Sequence, residues 1–280
     1  MNIFLRELKA NLKSLIIWSV IIALLIVVAC SKFTAYAGNP EMLKILDAFP
    51  PAVMDAFSMR GFDLTTITGF YGIMFVYFAL MGGIAASMWG SDMISKEERD
   101  KTVEFSLVLP VSRPRVVTAK ALAALVDCIL LMLVSWGVSL AAVQQFHPDR
   151  AFYSYLTLEM QALLIIELVF LAVGLLLGCG MKRYKLSAST AVGIILVTYF
   201  LSVISSLQKD LEWLKWFTPF KWFDSFTLLS DGHLGLYYLL VALGVIVVCV
   251  AAAYVTYERR DLYIKGGLSP NSVNNSYIQE

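Results

Sequence analysis

Charged residues cut this chain into uncharged stretches long enough to cross a bilayer. Lys13 to Lys32 encloses 18 uncharged positions, Asp63 to Asp92 encloses 28, and Asp127 to Asp149 encloses 21. Lys185 to Lys209 encloses 23, and Asp231 to Glu258 encloses 26. A sixth stretch, 153–181, is apolar apart from Glu159 and Glu167. A hydrocarbon core about 30 Å thick needs about 20 apolar residues in a helix, because backbone polar groups within lipid must be satisfied inside the segment. The pattern predicts an all-α membrane protein with six transmembrane helices, at approximately 14–33, 65–90, 119–146, 153–181, 187–207 and 234–257.

The segments between these stretches have patterns of their own. Residues 1–13 place Asn2, Arg6, Lys9 and Lys13 on one helical stripe, with Phe4, Leu8, Leu12 and Leu5 on the other side. This reads as an amphipathic interfacial helix, too short to span. The outer loop 34–63 contains Met42, Leu43, Leu46 and Phe49, the pattern of a short amphipathic helix. Residues 91–118 form the main inner loop. The stretch 208–234 gathers Trp213, Trp216 and Trp222 around Pro219. Tryptophan is favoured at membrane interfaces, so this outer segment is expected to lie at the surface or to dip in and return. Residues 1–265 then make one six-helix transmembrane domain, and the polar, breaker-rich tail 266–280 is expected to be disordered.

Composition agrees with this division. Of 280 residues, 59% are hydrophobic and 15% charged, against about 45–50% and about 25% in soluble domains. The net charge of +1 gives no basic field for nucleic acid. With the N-terminus inside, 15 Lys and Arg fall on inner segments and 7 on outer ones. The excess of inner cations predicts both termini on the cytoplasmic side, and a multi-pass protein of the cell membrane.

Three acids fall within the spans, where an ionisable side chain costs about 2.5–3.5 kcal/mol on insertion scales. Asp127 lies seven residues past Lys120, and Glu167 fifteen before Lys182. At about 1.5 Å per residue these are about 10 and 22 Å from the inner face, too different in depth for a direct pair. Either acid could line a substrate path or make a polar contact between helices. Glu159 is expected near the outer interface, within reach of water. Gly174 and Gly178 form a G-x-x-x-G, and Ala79, Gly83 and Ser87 repeat a small residue every fourth position. Such faces permit close helix approach, within the chain in preference to across a dimer seam. Cys30, Cys128, Cys179 and Cys249 lack metal-ligand spacing, and His147 and His233 lie at the outer ends of spans. No metal site and no catalytic residue is expected.

The inner loop runs from Ile94 through Glu98, Arg99, Lys101, Thr102, Glu104, Phe105 and Leu109 to Pro110-Val111-Ser112-Arg113, and on to Lys120. It resembles the loop after the second span of ABC-2 type permeases, the membrane subunits of ATP-binding-cassette transporters, often bacterial exporters. Glu98, Thr102, Glu104, Pro110, Val111, Ser112, Arg113 and Lys120 carry the match. Lys101 and Ala119 stand where the family commonly has Gly. The outer segment, with Trp216, Pro219, Phe220 and Trp222, is similar to a Pro-Phe-aromatic stretch before the last span of many bacterial members. The resemblance implies that Glu98, Thr102, Glu104, Phe105, Pro110, Ser112 and Arg113 couple the chain to an ATPase subunit. It also implies that a second permease chain, identical or different, completes the transporter within the lipid bilayer. ATP and Mg would then bind the partner subunit, and no cofactor binds this chain. Consistent with that, no G-x-x-x-x-G-K-[ST] occurs, so the chain is not expected to be an enzyme. The competing classes are an ion-coupled secondary transporter, which favours internal repeats with broken helices, and a membrane-embedded enzyme. Neither has its signature here.

Overall fold

A computed structural model describes residues 3–39, 48, 50, 53, 54, 59, 61–99, 112–181, 183–207 and 209–259. Among them the fold is helical, without strands. Six long helices are apolar enough to cross a membrane. They are α1 (Ile3–Phe33), α2 (Ile67–Arg99), α3 (Arg113–Val143), α4 (Arg150–Gly180), α5 (Tyr184–Leu207) and, after two short helices, α8 (Leu236–Glu258). Each expected span lies within one of these or within three residues of its end. Met42, Leu43, Leu46 and Phe49 of the expected amphipathic helix, residues 101–110 of the inner loop and the tail 266–280 lie outside the described residues.

Local chemistry sets the helix boundaries. Asp63 accepts from the Thr65 N–H at 2.9 Å, and Thr66 Oγ1 accepts from the Gly69 N–H at 3.1 Å, which turns the chain into α2. Pro114 occupies the first turn of α3, where its missing N–H would be unpaired anyway. α4 begins three residues before the expected span because Asp149 caps it, accepting from the Phe152 N–H at 2.8 Å. His147, with φ of 48°, makes the left-handed turn out of the short 3₁₀ helix Gln144–Phe146 that ends α3.

The N-terminal segment departs from expectation. It is the first three turns of α1, continuous with span one, and not a separate helix. At about 1.5 Å per residue its 31 residues reach about 46 Å, longer than the hydrocarbon core. The charged stripe of Arg6, Lys9 and Lys13 left Glu7 out of the reckoning. Glu7 is 1% exposed and, with Asn11 and Ser14, it forms a polar stripe toward the bundle. Phe4 and Leu8 also pack on the core.

The centre of the fold is the seam between α2 and α4. Seen from Gly90, the backbone of Leu171 and Leu175 is so near that a Cβ would fall 2.8 Å from Leu175 N. A Cβ on Gly174 would fall 2.9 Å from Ser87 C and Cα, and one on Gly178 2.8 Å from the Ser91 carbonyl oxygen. The G-x-x-x-G and small-residue faces therefore serve packing within the chain. α1, α5 and α8 keep wide apolar faces uncovered, among them Val20, Leu24, Val197, Phe200, Leu243 and Val248. In lipid such faces need no protein partner.

Candidate functional site

Polar side chains are buried along the bundle from the end that carries the start of α1 to the opposite end, called inner and outer after the expected orientation. At the inner end Lys96 of α2 pairs with Glu7 of α1, and Arg6 donates to the same carboxylate at 3.3 Å. One turn further along α1, Asn11 Nδ2 donates to Asp127 Oδ2 at 2.6 Å. Next, Ser14 Oγ accepts from Trp89 Nε1 at 2.9 Å. Lys120, also buried, donates from Nζ to the Met93 carbonyl at 2.7 Å. An Asn amide is a reasonable partner here: it leaves the carboxyl group in place while supplying the donor that lipid cannot.

Glu167 sits deeper, on α4, with no exposure. Neither carboxyl oxygen has a hydrogen-bond partner among the described residues. Opposite it is Gly82 of α2, where a Cβ would fall 2.6 Å from Glu167 Oε1. Asp127 bonds to α1 and Glu167 faces α2, so the structure does not bring these two acids together.

At the outer end the chain turns inward. A 3₁₀ helix at Lys209–Phe217 is followed by α6 (Pro219–Trp222) and α7 (Ser225–Asp231). Pro219, Phe220 and Trp222 are buried, while Trp213 and Trp216 remain exposed. Phe220 packs on Phe170 and Tyr199, with ring centroids 5.5 and 5.9 Å away. The segment therefore enters the bundle at Pro219, Phe220, Trp222 and Phe223 and leaves Trp213, Trp216 and Phe217 exposed. Trp222 Nε1 donates to the Trp216 carbonyl at 3.2 Å, and Lys221 pairs with Asp224 at 3.0 Å. At the 3₁₀ helix, Glu212 bonds Lys215 at 2.6 Å and raises its ammonium above the usual lysine range.

This outer segment covers Glu159, contrary to the expectation that it reaches water. The carboxyl group has no exposure. Ser225 Oγ donates to Glu159 Oε1, and Tyr155 OH bonds Ser225, reaching its carbonyl at 3.2 Å. Beside this cluster is a small open cleft. Phe62, Phe75, Phe223 and Phe226 line it, with Ser202 and the Lys221–Asp224 pair. Chemically it offers aromatic surface and a few hydroxyl groups.

The residues expected to couple to an ATPase are divided. Thr102, Glu104, Phe105 and Pro110 lie outside the described residues, as does the side chain of Glu98. Ser112 is the exposed residue preceding α3. Arg113 opens α3, and its Nη1 donates to the carbonyls of Tyr257 and Glu258 at 3.4 and 3.2 Å. Asn11, Tyr155 and Ser225 were absent from the sequence-based candidates. The spacing of Glu7, Asn11 and Ser14 on one helical face was the available signal for Asn11. Ser225 is 66 residues from Glu159, a separation that no local pattern reveals.

The family model of the ABC-2 family transporter proteins matches residues 1–262, nearly the whole chain. The chain belongs to the ABC-2 transporter family. It is a multi-pass integral membrane protein of the cell membrane, a membrane subunit of an ABC transporter. Membership implies an ABC ATPase subunit as partner for this permease. No curated protein matches the chain.

Proposed function

We propose that this permease forms the path of an exporter, driven by ATP hydrolysis on a separate subunit that binds ATP and Mg. Family membership across residues 1–262 carries the reading. The inner loop 91–118 is its contact with the ATPase, through Glu98, Thr102, Glu104, Phe105, Pro110, Ser112 and Arg113. Apolar residues such as Phe105 on a short inner segment fit a groove on another protein, and the surrounding charges can set register. Two permease chains, identical or different, enclose the path. The buried acids Asp127 and Glu167 are the polar stations along it, and the aromatic cleft beside Glu159 is its outer end. Both termini face the cytoplasm.

Affinity purification from native membranes tests the reading. An ATPase chain is expected to accompany the permease, and transport is expected to cease when ATP is depleted. A permease that carries no ATPase chain and transports regardless of ATP would refute it.

A further inference from the structure

The helices that flank the inner loop are each fastened to a helix at the edge of the fold. Lys96, three residues before the end of α2, is ion-paired with Glu7 of α1. The Glu7 side chain is 2% exposed and that of Lys96 is 21% exposed. Parting them would leave the buried carboxylate with its neighbour Arg6, whose side chain is 38% exposed, in place of the Lys96 ammonium, so the inner end of α1 follows that of α2. Arg113, the first residue of α3, donates to Tyr257 and Glu258. These carbonyls belong to the last turn of α8, where helix carbonyls lack intrahelical donors and the helix dipole favours a cation. Thr118 and Tyr254 add a second α3–α8 link at 2.6 Å. The α2–α4 seam is different in kind: it is held by backbone against backbone at Gly90, Gly174 and Gly178.

We propose that Glu7 and Arg113 are positioning residues that carry displacement of the inner loop into α1 and α8, while the α2–α4 seam remains rigid. This rests on the reading that the loop meets an ATPase. Arg113 then acts inward on α8 and not only as a contact for the motor. The two driven helices are among those with the widest uncovered apolar faces, so movement is delivered where it displaces lipid or a second chain and not the packed core.

The test uses the permease with its copurified ATPase in lipid nanodiscs, in a Cys249→Ala background. Maleimide labelling is compared between ADP and ATP with vanadate at Leu5→Cys on α1 and Val255→Cys on α8. Leu5→Cys and Val255→Cys are expected to change rate by about 5-fold or more, the lower end of typical coupling between sites. Adding Glu7→Gln should bring the Leu5→Cys response below about 2-fold while Val255→Cys still responds. Adding Arg113→Gln should do the reverse. The exchange Glu7→Lys with Lys96→Glu should restore the Leu5→Cys response. A full Leu5→Cys response in Glu7→Gln, or a full Val255→Cys response in Arg113→Gln, would overturn the proposal. If the Glu7→Gln complex fails to assemble, the exchange variant decides, and an assembled exchange variant without the response overturns it. An untagged ATPase missing from the parent preparation would instead refute the functional reading, and the inference with it.

Discussion

Replacing Gly174 by alanine should destabilise the permease, although alanine is the better helix former by about 1 kcal/mol. The new Cβ would fall 2.9 Å from the backbone of Ser87, and closer still to its carbonyl oxygen. Backbone within a helix cannot turn aside as a flexible side chain does, so α2 and α4 must separate. Overpacking typically costs about 1–3 kcal/mol, and a clash against backbone belongs toward the upper end. The propensity gain offsets about 1 kcal/mol of that, leaving a net loss of about 1–2 kcal/mol. Gly193 in α5 and Gly244 in α8 are natural controls, because a Cβ there meets nothing within 4 Å. Gly193→Ala and Gly244→Ala keep the propensity gain with no clash, so they should stabilise by up to about 1 kcal/mol. Thermal unfolding of the purified protein in one detergent measures all three, at roughly 2–4 °C per kcal/mol for a chain of this order. A Gly174→Ala protein as stable as the two controls would refute the claim that α2 and α4 meet backbone to backbone.

Ser225→Ala removes the Ser225 donor to the buried Glu159 carboxyl group and leaves it the Tyr155 hydroxyl. The loss should be about 1–3 kcal/mol, with faster hydrogen exchange over 218–231, and unchanged exchange there would show that this bond does not hold the segment. Glu167→Gln should alter transport while expression and thermal stability persist, because no hydrogen bond among the described residues holds its carboxyl group. Unchanged transport would remove Glu167 from the path.

Length and apolar content made the six spans legible, because lipid allows few alternatives to a continuous helix. The α2–α4 seam was legible too: small residues at Ala79, Gly83 and Ser87 on one helix and Gly174 and Gly178 on another announce close approach. What stayed hidden was which face of α1 turns inward. Arg6, Lys9 and Lys13 dominate the local pattern, and only the presence of Lys96 and Asp127 opposite makes the Glu7–Asn11–Ser14 face the buried one. Glu159 was misread for a related reason. Its distance along α4 gave a correct position near the outer end, but the segment that covers it arrives from beyond α5. Depth can be counted along one helix, whereas burial depends on what other parts of the chain do.

The separation of Ser225 from Glu159 also has a consequence during synthesis. Asp127 meets Asn11, made 116 residues earlier, so its partner already exists when α3 enters the membrane. Glu159 must wait for a residue 66 positions later. At about 5–20 residues per second, that is about 3–13 s in which α4 has emerged and its outer carboxyl group lacks the hydroxyl that will hold it. The contacts of Glu7, Asn11 and Ser14 with α2 and α3 can form while translation continues, whereas Glu159 waits for Ser225, and Arg113 waits longer still, for the last turn of α8.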